Sequence, residues 1–338
     1  MTTPYEQLEP GLKVAAQMSP EATEDDFAFA RQMGVGHAVA WTDASKASPD
    51  YYRQTRDRYG DAGITLYGLG NGDVHNQQDI VLGLSGRDEK IEEYKRHLRA
   101  LGTAGIPYTT YAHMGNGIWS TEREATRGGA SARGFDLDKA THGRWRNETY
   151  ELPLTHGREF SESEIWKHFT HWVNEVRPVA EDAGVMIGIH PDDPPVPVLG
   201  GIPRCIFSSF DGYQKAMEIA DSPNIGICFC VGCWLEGGEL MGRDAVASIK
   251  HFGGIDKIFK VHFRNVDQPL PHFVETFVDD GYGDMSNIMG ALAEVGFRGV
   301  LIPDHIPQMA DDPRVGTAYT IAYMKALVEQ ATSEIAAA

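Results

Sequence analysis

The chain has little cysteine, no long apolar run and no surplus of positive charge, and each shortage removes a class of function. Only four of its 338 residues are cysteine: Cys205, Cys228, Cys230 and Cys233. The last three fall within six residues, too close along a strand for a disulfide framework, so a reducing compartment is expected. No stretch reaches the ~18 apolar residues that span a bilayer, and the opening MTTPYEQLEPGLK carries no basic, apolar leader pattern. A cytoplasmic protein without a membrane partner is expected. Acidic residues exceed basic ones by 48 to 30, a net charge of −18. That field repels nucleic acid and obliges an anionic ligand to find a local cation or a metal. The glycine-rich turns GLGNG (68–72) and HMGNG (113–117) lack the G-x-G-x-x-G spacing ahead of a helix, so no dinucleotide site is indicated, and no phosphate loop is present.

What is present is regular. Short β-rich runs at 12–17, 37–41, 64–69, 106–113, 184–190, 224–230, 258–263 and 299–305 alternate with helical patterns at 23–34, 49–62, 87–104, 163–183, 211–221, 239–252, 284–296 and 315–335. Thr23 and Ser163 read as helix caps, and Gly184 as a helix stop. Near-continuous apolar strands alternating with helices argue for a parallel sheet. Eight such units argue for closure into a single α/β domain over 1–338, a (β/α)8 TIM barrel. The period breaks only at 114–162, a Gly-, Arg-, Thr- and Glu-rich insertion after the fourth strand. That position places it on the C-terminal face, as a lid or binding loop or, alternatively, a disordered or oligomer-contact insertion.

Four residues at equivalent places carry the chemical argument. His190, Cys230, His262 and Asp304 stand at or near the ends of strands five to eight, 40, 32 and 42 residues apart. One β/α unit separates each pair, so one barrel rim receives two imidazoles, a thiolate and a carboxylate. All are ligands for a divalent metal. The thiolate suits Zn, Fe or Co, and the carboxylate suits Mn or Mg. Cys228, two residues deeper on the same strand face, reads as barrel core, and Cys233 as loop. C-x-C-x-x-C lacks the second pair of a zinc ribbon.

Further polar groups cluster nearby. HPDDPP (190–195) sets Asp192 and Asp193 beyond a ligand in a proline-stiffened loop. Asp193 is a catalytic candidate, with orientation of His190 the alternative. VHFRN (261–265) offers Arg264, suited to binding a carboxylate bidentately, and Asn265. Arg204 in GGIPRC and His113 at the fourth strand's end complete the substrate-binding candidates. His305, beside Asp304, is the candidate acid–base group.

Together these motifs resemble the mannonate dehydratase family, from about residue 76 to residue 330. The resemblance is carried by DIVLGLSGRDEKIEEYKRHLRALGTAGIPYTTYAHM, HPDDPP, GGIPR, FCVG, HFRNV, FVETFVDDGYGDM and PDHIP. It implies a xylose-isomerase-like barrel and a divalent ion, typically manganese, held by His190, Cys230, His262 and Asp304. It also implies removal of water from an aldonic acid to give a 2-keto-3-deoxy acid, with His305 catalytic, a small-molecule sugar acid as partner, and a homo-oligomer. Three departures stand out. YAHMGNGIWST has Ser120 where the family has Arg. MADDPRVGTAYTIAY is shortened, with Thr317 near another usual Arg. A family tyrosine has no counterpart in that stretch, the nearby Tyr319 falling in a helical position, and the chain is shorter than many family members. An isomerase or epimerase in the same barrel, or a non-catalytic sugar-acid-binding homologue, are the alternatives these departures raise.

Overall fold

The computed structural model describes residues 2–310 and 312–337. Eight parallel strands close into a barrel: β1 (Lys13–Met18), β2 (His37–Thr42), β3 (Thr65–Asn71), β4 (Tyr108–Ala112), β5 (Met186–His190), β6 (Ile225–Cys230), β7 (Ile258–Phe263) and β8 (Val300–Pro303). Each pairs with its sequence neighbours, and Lys13 and Val14 of β1 meet Val300 and Leu301 of β8 to seal the ring. The outer helices are α1 (Glu24–Gln32), α2 (Pro49–Asp61), α3 (Arg87–Ala104), α4 (Glu162–Ala183), α5 (Phe210–Ala220), α6 (Ala245–Gly253), α7 (Met285–Glu294) and α8 (Pro313–Ala337). This is the expected (β/α)8 TIM barrel. Every residue of β5 and β6 is buried, as strands covered on both faces require. Inside the barrel, Tyr67 and Tyr108 stack at 5.2 Å.

Local chemistry sets the element ends. Thr23 caps α1 in a reciprocal pair with Asp26. For α4 the cap is Ser161, paired with Glu164, rather than Ser163. The capping box needs an acidic residue three positions on, and Ser161 has it. The same helix stops at Gly184, whose φ of 65° suits a residue without a Cβ. Helix α6 starts at Ala245, capped by Asp244, six residues later than the expected 239. The start of the expected segment is instead a 3-10 turn, Gly238–Met241, and it follows a separate short helix, Val231–Gly237, which places Cys233 on a buried helix and not in a loop.

The insertion has structure of its own. Ile118–Trp119, His142–Trp145 and Glu148–Glu151 form a small antiparallel sheet. Gly134–Asp136 pairs with His272–Thr276 from the excursion after β7. The segment is thereby stitched to the far side of the barrel mouth. Among the described residues no helix is long and apolar enough to cross a membrane.

His97 on α3 ties three elements together. Its Nδ1 lies 2.7 Å from the Tyr52 hydroxyl of α2 and its Nε2 3.0 Å from the Thr109 hydroxyl of β4. Burial pushes its pKa down from 6.5 to about 3. Between those values the unfolded chain holds a proton there that the folded chain does not, so stability falls as pH drops through this window. Urea unfolding at pH 7, 6 and 5 should show the wild type losing about 2 kcal/mol more than His97→Gln over the whole range, most of it between pH 6 and 5, where the slope approaches about 1.4 kcal/mol per pH unit. Equal slopes would remove His97 from the acid response.

Candidate functional site

The four strand-end candidates converge on one rim of the barrel. His190 closes β5, Cys230 closes β6 in register with His262 of β7, and Asp304 follows β8 directly. His190 Nδ1 lies 2.8 Å from the Pro191 carbonyl, which can only accept, so the ring's proton sits on Nδ1. The lone pair on Nε2 then faces His262 Nδ1 at 3.2 Å. The metal-binding atoms of His190, Cys230 and His262 all lie within 4.8 Å of one another. Asp304 stands just outside this tight trio, its Oδ2 3.5 Å from His262 Nδ1.

Electrostatics favour a cation here. Burial alone raises the Cys230 thiol, but its hydrogen bond with Cys233 and the Arg264 charge outweigh burial and hold it well below its usual range. Asp304 is likewise held low against its burial by His305, His262 and Arg264. Burial disfavours charge on His262, yet Cys228 and Asp304 pull its pKa up to about 10. Two imidazole nitrogens face to face among anionic groups fit a shared metal ion.

Arg264 corrects one expectation. It is 2% exposed, and its donors are committed to the protein. Nε donates to Asp304 at 2.8 Å, and one terminal nitrogen donates to Glu275 at 3.0 Å and to Glu236. The other donates to Asp193 at 3.2 Å and contacts Cys233 Sγ at 3.4 Å. A guanidinium has five N–H donors, so none remains for a substrate carboxylate. Arg264 instead fixes the direction of the Asp304 carboxylate.

The second arginine of this network, Arg133, was not among the sequence candidates. It comes from the insertion and donates to Asp193 at 2.5 Å, Glu275 at 2.8 Å and Ser120 Oγ at 2.8 Å. Asp193 is therefore gripped by two guanidiniums, which hold its carboxyl below the usual range despite burial. It anchors the network and has no proton to give.

His305 faces the open space. The chain turns there with φ of 44°, Nδ1 meets Glu275 at 2.7 Å, and Nε2 stands 3.9 Å from Asp304. Burial lowers its pKa, but Asp304 and Glu275 more than offset this and lift it to about 9.

The remaining substrate-binding candidates are structural. Arg204 is buried and clamps Pro194 O, Asn116 Oδ1 and Gly117 O. Asn265 donates to Val278 O and Gly283 O. His113 packs against Phe169 and Phe207, bonds the Tyr111 hydroxyl at 2.9 Å, and is pushed by burial to about 3. None of the three borders the cavity at the barrel mouth. The side chains of Arg204 and Asn265 satisfy buried backbone carbonyls of irregular loops, while His113 packs in the aromatic core.

That cavity measures about 590 Å³. The later strands supply His190, His262, Asp304 and His305 to it, with Asp193 beside them. The earlier strands supply Gln17, Trp41, His75 and Thr110, and the insertion adds Ile118 and Trp145. Tyr319 lies elsewhere, bonded to Asp279 at 2.7 Å on the surface. Trp41, His75 and Trp145 had no chemical signature in the sequence, although Trp41 holds the same strand-end position as the ligands.

Removing one member of a buried ion network leaves its partners uncompensated, a loss of about 3–5 kcal/mol. Arg264→Met should cost that much unfolding free energy in urea at pH 7. A loss below about 1 kcal/mol would show that the carboxylates around it do not depend on its charge.

A family model described as D-mannonate dehydratase (UxuA) matches residues 50–335. The mannonate dehydratase of Oceanobacillus iheyensis is 33% identical over 262 residues, 72% of this chain and 72% of that protein. That of Streptococcus pneumoniae is 28% identical over 306 residues, 85% and 82%. In fold, the crystal structure of mannonate dehydratase from Streptococcus suis serotype 2 superposes with a TM-score of 0.82, at 22% identity and 96% coverage of both chains. A 3-keto-D-glucoside 4-epimerase from E. coli superposes at 0.62, with 13% identity and coverage of 93% and 99%. The extent of the family match and the identity to the Oceanobacillus protein show that this chain belongs to the mannonate dehydratase family.

Proposed function

We propose that the protein is a metal-dependent hydro-lyase that dehydrates a sugar acid of the mannonate type to a 2-keto-3-deoxy acid. The observation that carries this is the placement of His305. It sits on the cavity wall beside Asp304, with Nδ1 committed to Glu275 and Nε2 left to face the substrate. His190, Cys230, His262 and Asp304 would hold the divalent ion, Mn2+ first, with Fe2+, Co2+, Zn2+ or Mg2+ as the other candidates. When bound, that ion supplies Lewis-acid stabilisation of charge developing at the substrate's carboxylate end.

The protein's own groups then handle protons and position. The reaction breaks the C2–H and C3–O bonds: the 3-hydroxyl leaves as water with a proton from His305, the neutral His305 so formed takes up the C2 proton, and the resulting enol tautomerises to the 2-keto product. His305, protonated at neutral pH, gives a proton from Nε2 to the departing 3-hydroxyl. Glu275 acts as a positioning residue by fixing which ring nitrogen faces the cavity. Arg264 and Arg133 hold Glu275 in turn. Among the described residues no arginine or lysine lines the cavity, so the substrate carboxylate relies on the metal and on His305 for its counter-charge.

The same absence favours a second reading, isomerisation or epimerisation of a neutral sugar, which needs no cation for a carboxylate. The two are separated by incubating the Mn2+-loaded protein with D-mannonate and other aldonates in D2O. Dehydration predicts 2-keto-3-deoxy product, loss of turnover on chelation, and a kcat at least ~100-fold lower in His305→Asn with metal content unchanged. Deuterium entering recovered substrate with no keto-deoxy product would instead favour the second reading. Full activity in His305→Asn would remove its assigned role.

A further inference from the structure

The later half of the barrel supplies the ionisable groups, and the earlier half does something else. Trp41 stands near the end of β2, His75 lies in the loop after β3, and Trp145 reaches over from the insertion. The Trp41 and His75 rings meet edge to face at 4.9 Å, and His75 and Trp145 lie 5.3 Å apart.

This arrangement is built. Gly70 makes room for Trp41, because a Cβ there would come within 2.7 Å of the indole ring. The His75 loop is pinned by its own backbone, whose carbonyl accepts from Ala112 N at 2.9 Å. Trp145 is fixed at a tight hairpin turn. The next residue, Arg146, adopts φ of 53° and reaches back to Asp73 at 3.1 Å, two residues from His75.

His75 is the polar member. It is 6% exposed, and its Nδ1 is buried without a hydrogen-bond partner. Burial pushes its pKa down to about 3, with the Thr110 carbonyl the largest opposing influence. A neutral imidazole has one donor and one acceptor nitrogen. Nδ1 is shut off from the cavity, so a ligand hydroxyl on this wall would meet the ring's other nitrogen, Nε2, which no protein side chain occupies.

We propose that Trp41, His75 and Trp145 form the subsite for the hydroxylated carbon chain of the substrate, with His75 hydrogen-bonded to one of its hydroxyls. The indole faces cover the chain's C–H surface, as aromatic walls do in small-molecule sites. No arginine or lysine lines this cavity among the described residues, so a second anionic group at the far end would be desolvated without a counter-ion. The subsite takes an uncharged polyol end. It selects a monocarboxylic sugar acid over a diacid or a phosphorylated one. This rests on the sugar-acid reading above.

The test measures binding, so that it stands apart from turnover. In a Mn2+-loaded His305→Asn background, calorimetry is run with D-mannonate, its 4-, 5- and 6-deoxy analogues, and the diacid D-mannarate. His75→Phe should weaken D-mannonate about tenfold, the worth of one good hydrogen bond. It should also erase the penalty of one deoxy analogue while keeping the other two. His75→Gln, which retains donor and acceptor, should recover part of the loss. Trp145→Ala, on the half-buried hairpin, gives a second reading of the subsite and should weaken all the aldonates together. D-mannarate should bind at least about tenfold more weakly than D-mannonate. Unchanged affinity in both His75→Phe and Trp145→Ala, or equal binding of the diacid, would overturn the subsite. Binding with this pattern, but no keto-deoxy product from the wild type, would overturn dehydration and leave the subsite standing.

Discussion

A guanidinium buried at the barrel mouth must be surrounded by acceptors, and Arg264 is surrounded by four carboxylates and a thiol. That requirement shapes the rest of the site. One carboxylate is Asp304, the proposed ligand, one is the His305 partner Glu275, and one is Asp193, which is also held by Arg133 of the insertion. Glu236, the fourth, is raised to about 7 by burial even against the arginine charges. Such networks are costly to desolvate and add little net stability over apolar packing. Their use here is geometric. A single rigid fork sets the direction of Asp304 and, through Glu275, of His305.

The network also explains why the insertion belongs to the site. Arg133 bridges Asp193 after β5 and Glu275 after β7, while Gly134–Asp136 joins the strand that carries Glu275. Trp145, from the neighbouring hairpin, closes the opposite side. The barrel mouth is thus divided into an ionisable half, built by the later strands, and an uncharged aromatic half, built by the earlier strands and the insertion. A sugar acid has a matching asymmetry, with its carboxylate and reacting hydroxyls at one end and a polyol chain at the other.

Much of this was legible in the sequence and some was not, for physical reasons. The barrel follows from hydrophobic alternation, and the convergence of His190, Cys230, His262 and Asp304 follows from spacing by whole β/α units. Residue type was a poorer guide. Arg264, Arg204 and Asn265 look like ligand-binding groups because they are polar and follow strand ends. In three dimensions each is consumed by buried acceptors on other segments, such as Asp193 for Arg264, Gly117 for Arg204 and Gly283 for Asn265. His113 was misread in the same way, since burial makes it a core residue. Arg133 and Trp145 sit in a segment without periodic pattern, whose short strands are defined by pairing with distant chain. Cys233 appeared to be loop because the brief helix holding it is too short to show a period.

The account depends most on the cysteine that closes β6. Titration of metal-free protein with Co2+ reads this directly, because a thiolate ligand gives a near-ultraviolet charge-transfer band. The band should appear at one equivalent in the wild type, Cys228→Ser and Cys233→Ser, and be lost in Cys230→Ser. A band that survives in Cys230→Ser, or that is absent from the wild type, would contradict the metal centre on which the proposed chemistry rests.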